Sequence, residues 1–163
     1  MKNNWVEEKK ELESEAKISN KAFGKAGEED VCRLILCPNC QNKLVLLPEG
    51  FPMYDIQCSR CMFRAQVKTV KSPPKNQIFG AGWDIYEKVL KAGYLSPPLF
   101  VNFKWKVPEG LNREIRFYPF IAKGNVKKYQ LSPTAKRANY KMFKYVHLDK
   151  IPFFPLFQSF EPF

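Results

Sequence analysis

The sequence predicts a mixed α/β domain, with strands and helices in mixed order and two cysteine pairs among the strands. Three observations point there. Two long segments, LFVNFKWKV at 99–107 and REIRFYPFIA at 113–122, alternate with the period of a strand. Two others repeat apolar residues with the period of a helix, and two Cys-x-x-Cys pairs bracket a run of short strand-like segments. A chain of 163 residues, 45% of them hydrophobic, holds one core with at most a short appendage.

Taken in order, residues 5–17 (WVEEKKELESEAK) place Lys9 with Glu13 and Glu13 with Lys17 at i,i+4, as a solvated helix does, so residues 1–20 read as a charged N-terminal arm. Val31, Leu34 and Ile35 then recur at helical spacing behind Gly24 and Gly27. They predict a helix from about residue 25 that runs into the first cysteine pair. KLVLL at 43–47 and MYDIQC at 53–58 read as strands separated by the turn-forming PEGFP at 48–52; MFRAQVKTV at 62–70 makes a third, and together they predict an antiparallel meander. A Pro-Lys loop at 72–76 leads to a helix over 82–92, with Trp83, Tyr86, Val89 and Leu90 facing inward. The two long strands follow. In SPTAKRANY at 132–140, Ser132 as N-cap and Pro133 at the first helical position start a short basic helix. The main domain therefore spans 21–150. In the tail, 151–163, Pro152, Pro155 and Pro162 exclude a helix or a central strand. Its five Phe residues predict a strap over the domain, the alternative being a homodimer contact.

The formal charge of +11 is unevenly placed. Residues 1–30 carry six Lys and eight acidic residues, a net of −2, which leaves +13 on the rest. A basic body calls for a polyanion such as nucleic acid, because neutralising phosphates releases counterions; the alternative is a surface tuned for solubility. No run of 18 apolar residues can span a bilayer, and Met1 to Asn20 lacks the apolar stretch of a secretion signal. A cytoplasmic chain with no membrane partner is expected. There is no P-loop and no dinucleotide fingerprint. The single histidine, His147, sits in KYVHLD without a nucleophile pattern around it, which leaves a structural or surface role.

The most specific motif is CPNC at 37–40, then 17 residues, then CSRC at 58–61. Two such knuckles on successive hairpin turns let Cys37, Cys40, Cys58 and Cys61 converge tetrahedrally on one Zn²⁺. The alternative, two disulfides, fits poorly with a reducing compartment and with paired Cys-x-x-Cys spacing. Four sulfur ligands leave no position for an activated water, so this zinc is structural. Cys32, left over on a helix face, reads as an apolar filler. On the zinc motif alone, a zinc-ribbon nucleic-acid-binding protein is the simplest reading.

Asp55 lies three residues before Cys58, and Gln66 and Lys68 follow on the next strand. Positions i and i+2 of a strand face one side, so Gln66 and Lys68 project together while Asp55 can meet them across the hairpin. The Asp55 carboxylate, the Gln66 side-chain oxygen and the Val67 carbonyl form a hard-oxygen set for Mg²⁺, which clamps a phosphate. Lys68 could then orient the attacking water and steady the phosphate charge. The bland alternative is a lysine that simply alternates outward into solvent.

CPNC, PMYD at 52–55, CSRC, QVK at 66–68 and SPTAKRA at 132–138 occur in this order. With them the chain resembles the PD-(D/E)xK nucleases, and among these the DpnI-like, Dam-replacing restriction endonucleases, from the helix before Cys37 to about Tyr140. The resemblance implies a restriction-endonuclease-like mixed sheet flanked by helices, with a four-cysteine zinc-ribbon insertion. It also implies Mg²⁺- or Mn²⁺-dependent hydrolysis of double-stranded DNA, with methylation-dependent cleavage in part of the family. The family's aspartate maps onto Asp55 and its lysine onto Lys68. Gln66 stands where that subfamily has Glu, and an amide oxygen brings no charge to the metal. Many superfamily members add a Glu from the first helix. Glu28 in GEEDV at 27–31 resembles it best and Glu29 next, the alternative being first-turn acids that favour the helix N-terminus. DNA contacts would fall to Lys71 and Lys75, and to Lys136 and Arg137 in SPTAKRA.

DpnI-like enzymes carry a winged-helix domain where this sequence ends, so methyladenine recognition is not carried over. Such a lone domain would cut with little specificity or borrow recognition from a partner, a second copy or a separate specificity subunit. Two functions stay open: a metal-dependent endonuclease, favoured by Asp55 and Lys68 at the right spacing, and a non-catalytic zinc-ribbon nucleic-acid-binding protein or inactive nuclease-fold relative, favoured by the charge missing at position 66.

Overall fold

A computed structural model describes residues 21–129 and 142–163 of the chain. The predicted arm at 1–20 and the SPTAKRANY helix, with Lys136 and Arg137, lie outside the described residues. Helix α1 covers residues 21–34. Strands β1 (Leu44–Leu46), β2 (Ile56–Cys58) and β3 (Arg64–Val70) follow, then β4 (Ile78–Ala81), helix α2 (Trp83–Lys91), β5 (Leu99–Val107), β6 (Gly110–Tyr118), β7 (Val126–Tyr129), β8 (Met142–Tyr145) and β9 (Phe154–Pro162). Six strands form one sheet in the order β1-β2-β3-β5-β6-β9, and three form a second in the order β4-β8-β7. The mixed α/β class expected of the sequence is therefore the fold observed.

The larger sheet is mixed because β3 and β5 run parallel, Gln66 opposite Leu99 through Val70 opposite Phe103, while its other pairs are antiparallel. Its middle is buried on both faces: Leu99, Phe100, Val101, Asn102 and Phe103 of β5 are inaccessible to solvent. One face meets α1, whose Val31, with Ile35 just past the helix end, joins Ala65, Val67, Phe100, Ile115 and Phe117 in a first core. The other face meets the smaller sheet and α2 in a second core built on Tyr86, Phe143, Tyr145, Leu99, Val101 and Phe103. Trp83 and Leu90 of α2 pack against this core as their spacing predicts.

Helix α1 approaches β3 closely because residue 27 is glycine: a Cβ there would overlap the Thr69 hydroxyl and sit 2.7 Å from Thr69 Cβ. Polar bonds fix its position. Asn102 Nδ2 donates to Gly27 O at 3.3 Å and to Asp30 Oδ2 at 3.4 Å. Asp30 also pairs with Lys104 at 2.6 Å and Arg33 at 3.1 Å. Burial alone would raise the Asp30 carboxyl, but the Lys104 ammonium beside it holds it below the usual aspartate range.

Several elements differ from the sequence expectation. Strand β2 starts only at Ile56, because Met53 takes a left-handed φ of 68° and 52–55 turn. Strand β6 stops at Tyr118, before Pro119, which lacks the N–H a ladder needs. The segments forming the smaller sheet are only four residues each and carry no alternation long enough to register. The tail is an edge strand: β9 pairs with β6 from Phe117 opposite Phe154 to Gly110 opposite Pro162. An edge tolerates its prolines, since one side of the strand needs no ladder. Phe157 packs on the first core and Phe153 on the second, whereas Phe154, Phe160 and Phe163 are exposed. Among the described residues no helix is long and apolar enough to cross a membrane.

Candidate active site

The four paired cysteines come together as their spacing predicts. Their sulfurs all lie within 4.8 Å of one another, with Cys37 to Cys61 at 3.6 Å and Cys40 to Cys58 at 3.4 Å. A tetrahedron of Zn–S bonds of about 2.3 Å has edges of about 3.8 Å, so the cluster could hold zinc with small adjustments. The second knuckle is a turn whose N–H groups aim at sulfur: Arg60 N and Cys61 N each lie 3.3 Å from Cys58 Sγ, and Phe63 N lies 3.5 Å from Cys61 Sγ. Asn39 and Asn42 add side-chain donors to Cys61 and Cys40. Such donors stabilise thiolates; the Asn39 amide, with the Phe63 N–H, holds Cys61 down to about 6. The cluster is tied to the first core through Phe63, whose ring meets Phe100 and Phe117 edge-on. Cys32 is half-buried against that core, and burial raises its thiol to about 11.

The hairpin that carries the second knuckle also places Asp55. The last β2–β3 pair is Ile56 with Ala65, and one residue further the strands part. Asp55 sits in that fork: its N–H donates to Ala65 O at 3.0 Å, and its Oδ2 accepts from Val67 N at 2.8 Å. In a strand, the N–H and C=O of one residue point to the same edge. Gln66 N–H points to β5, where it meets Pro98 O at 2.9 Å, so Val67 turns both its N–H and its carbonyl toward the fork.

Gln66 and Lys68 share the face of β3 that looks to the second core. Gln66 is buried, and its Oε1 accepts a hydrogen bond from the Tyr145 hydroxyl. Tyr145 in turn contacts Tyr86, whose hydroxyl is bonded to Ser96 Oγ. This buried polar chain was not legible in the sequence, because Tyr145 is 79 residues from Gln66 and on a strand of the other sheet.

Glu28 reaches the same place from α1. Burial pushes its carboxyl up to about 7, and the Asp55 charge adds to the rise while Lys68 opposes it. Burial also raises Asp55, against the Val67 N–H and Lys68. Lys68 is pulled below the usual lysine range by burial, against the attraction of Asp55 and Glu28. Glu28, Asp55 and Lys68 thus share one electrostatic neighbourhood, and the buried Gln66 lies on the same strand face as Lys68. Glu29, the second candidate from the helix, is exposed. Asp30, which the sequence reading passed over, faces β5 and β6 and serves packing; its spacing from Gly27 and Val31 is the signal that could have marked it as inward.

Lys71 and Lys75 are exposed and line a cleft of about 340 Å³ between α1 and the ends of β3 and β4. Lys71 Nζ stands 4.6 Å from the centre of the Phe23 ring. His147 lies at the surface with a left-handed φ of 57°.

The model of the DpnI family, the Dam-replacing family, matches residues 6–155 of the chain. No curated protein matches it.

Proposed function

The chain belongs to the Dam-replacing family of DpnI, and on that premise we propose that it is a Mg²⁺- or Mn²⁺-dependent endonuclease that hydrolyses phosphodiesters of double-stranded DNA. What supports the proposal is the coupling of Glu28 and Lys68 to Asp55 at the fork between β2 and β3, where Asp55 accepts from Val67 N beside the edge to which Val67 turns its carbonyl.

The donor set suits a hard divalent cation: two carboxylates, an amide oxygen and a backbone carbonyl, with no sulfur or imidazole among them. Asp55, Gln66 and Val67 would hold the ion, and Glu28 would supply the charge that an amide at position 66 does not. A bound Mg²⁺ or Mn²⁺ supplies Lewis-acid polarisation of the phosphate and a more acidic water. Lys68, half-buried and lowered in pKa, would orient the attacking water and stabilise the charge that develops on the phosphate. Cys37, Cys40, Cys58 and Cys61 would hold a structural Zn²⁺, which would fix the hairpin on which Asp55 sits. Lys71 and Lys75 contact the DNA backbone next to the site, Lys136 and Arg137 being further candidates from the sequence.

The second reading, a nuclease-fold protein that binds nucleic acid without cutting it, is favoured by the occupation of Gln66 Oε1 by the Tyr145 hydroxyl. The two separate in one assay: nicking of methylated and unmethylated plasmid with Mg²⁺ or Mn²⁺. The endonuclease reading expects nicking that Lys68→Ala abolishes with zinc retained, and the plasmid pair reads any methylation preference. Plasmid left intact in every metal and methylation state, together with DNA binding unchanged by Asp55→Ala, would support the non-catalytic reading.

A further inference from the structure

The smaller sheet turns one face inward, and among the described residues no element covers the other. In an antiparallel pair, opposite residues share a face. Ile78 opposite Tyr145 and Gly80 opposite Phe143 point into the second core; a Cβ on Gly80 would run into the Phe143 ring. The outward rows are therefore Phe79, Lys144 and Lys127, and beside them Ala81, Met142 and Tyr129.

On this outward face cations and rings interleave. Lys144 Nζ stands 5.1 Å from the Phe79 ring centre and 4.4 Å from that of Tyr129, and the two rings are 5.6 Å apart. Phe79 remains 54% exposed. Phe79 also borders the cleft that holds Lys71 and Lys75, and that cleft begins at Thr69, the residue after Lys68. The salt bridges among the described residues leave Lys71, Lys75, Lys127 and Lys144 without a carboxylate partner. Cations without a carboxylate partner, with the exposed Phe79 ring and the half-buried Tyr129 ring among them, thus run from the cleft beside Thr69 to the outer face of the smaller sheet.

A DNA duplex offers such a strip phosphates, sugars and base edges, but its base faces are hidden in the stack, so the rings gain no stacking partner there. An unpaired strand offers both phosphates for the lysines and base faces for the rings. We propose that the outer face of β4-β8-β7 binds an unpaired stretch of DNA strand, with bases stacked on Phe79 and Tyr129, phosphates on Lys127 and Lys144, and the strand led past Lys71 and Lys75 toward Asp55. The direction of the strand rests on the endonuclease reading; the binding itself does not.

The test is fluorescence anisotropy with the full, zinc-loaded chain and no Mg²⁺ or Mn²⁺, using a single-stranded oligonucleotide, a blunt duplex and a duplex with an unpaired tail. Phe79→Ala combined with Tyr129→Ala is expected to weaken binding of the single strand and the tailed duplex by about 10-fold or more, and of the blunt duplex by less than about 2-fold. Lys144→Gln, which keeps both rings, is expected to lower the salt dependence of single-strand binding by about 0.7 ion. Unchanged single-strand binding in both variants, or an equal loss on the blunt duplex, overturns the proposal. Plasmid nicking by the wild type is measured in parallel: ring-dependent single-strand binding without nicking sinks the endonuclease reading alone, and nicking with ring-independent binding sinks the proposal alone.

Discussion

Replacing Gln66 by Glu puts a third carboxylate beside Asp55 and Glu28 in a position only 9% exposed. The side chains are nearly isosteric, and the Tyr145 hydroxyl that donates to Gln66 Oε1 can donate to a carboxylate as well. The size of the effect follows from Glu28. Its rise from 4.5 to about 7 corresponds to about 3 kcal/mol, which solvent screening of a half-exposed group reduces to about 1–2 kcal/mol. A carboxylate at the more enclosed position 66 costs the zinc-loaded, magnesium-free protein at least that much at pH 8, read as a lower urea midpoint. With a divalent cation present the sign reverses. A unit charge about 4 Å away contributes about 4 kcal/mol at an effective dielectric of about 20. Less the cost of desolvation, about 2 kcal/mol remains, equivalent to a roughly 30-fold lower half-saturating Mn²⁺ concentration in plasmid nicking. A variant with an unchanged or higher Mn²⁺ midpoint would show that residue 66 does not face the metal.

Four further outcomes are expected. Gly27→Ala overlaps Thr69 and should cost about 1–3 kcal/mol in chemical denaturation while displacing Glu28 and lowering nicking, with partial recovery on adding Thr69→Ala; unchanged stability would contradict the close approach of α1 to β3. Cys58→Ser should remove bound zinc, destabilise the domain on the order of 5 kcal/mol and abolish nicking, and full activity without zinc would remove the cluster from the account. Because the folded protein raises the Glu28 pKa, its contribution to stability is fully present below about 4.5 and is lost as pH rises through about 7. Glu28→Gln should therefore match the wild type near pH 4 and exceed it by about 1–2 kcal/mol at pH 8 without Mg²⁺, whereas an equal difference at both pH values would place Glu28 outside the site. Tyr145→Phe, which frees Gln66 Oε1, should shift the Mn²⁺ midpoint of nicking more than the maximal rate, and a fall in rate alone would assign Tyr145 to packing.

Much of the candidate site's arrangement was legible because its parts lie on one hairpin and carry strong local signals. The Cys-x-x-Cys pairs fix two turns, the strand period fixes the common side of Gln66 and Lys68, and the three residues from Asp55 to Cys58 tie the acid to the cluster. Glu28 was reachable only through the family resemblance, since nothing local separates it from Glu29; exposure does so in the fold. The parallel pairing of β3 and β5 and the split into two sheets depend on long-range partners such as Gln66 with Leu99, which periodicity does not encode. Tyr129 and Phe79 acquire a shared face only once β7, β8 and β4 are side by side. Prolines at 155 and 162 argued correctly against a central strand in the tail. They could not say that β6 offers a long edge for it to pair with.

The most direct test of the central claim, that the fork between β2 and β3 is a divalent-cation site, is Mn²⁺ binding followed by electron paramagnetic resonance. The protein is zinc-loaded, bound to duplex DNA and held uncleaved by Lys68→Ala. The account predicts Mn²⁺ bound to the chain and lost when Asp55→Asn is added, with zinc and fold retained. Undiminished Mn²⁺ binding in the double variant, or none before it, would contradict the account.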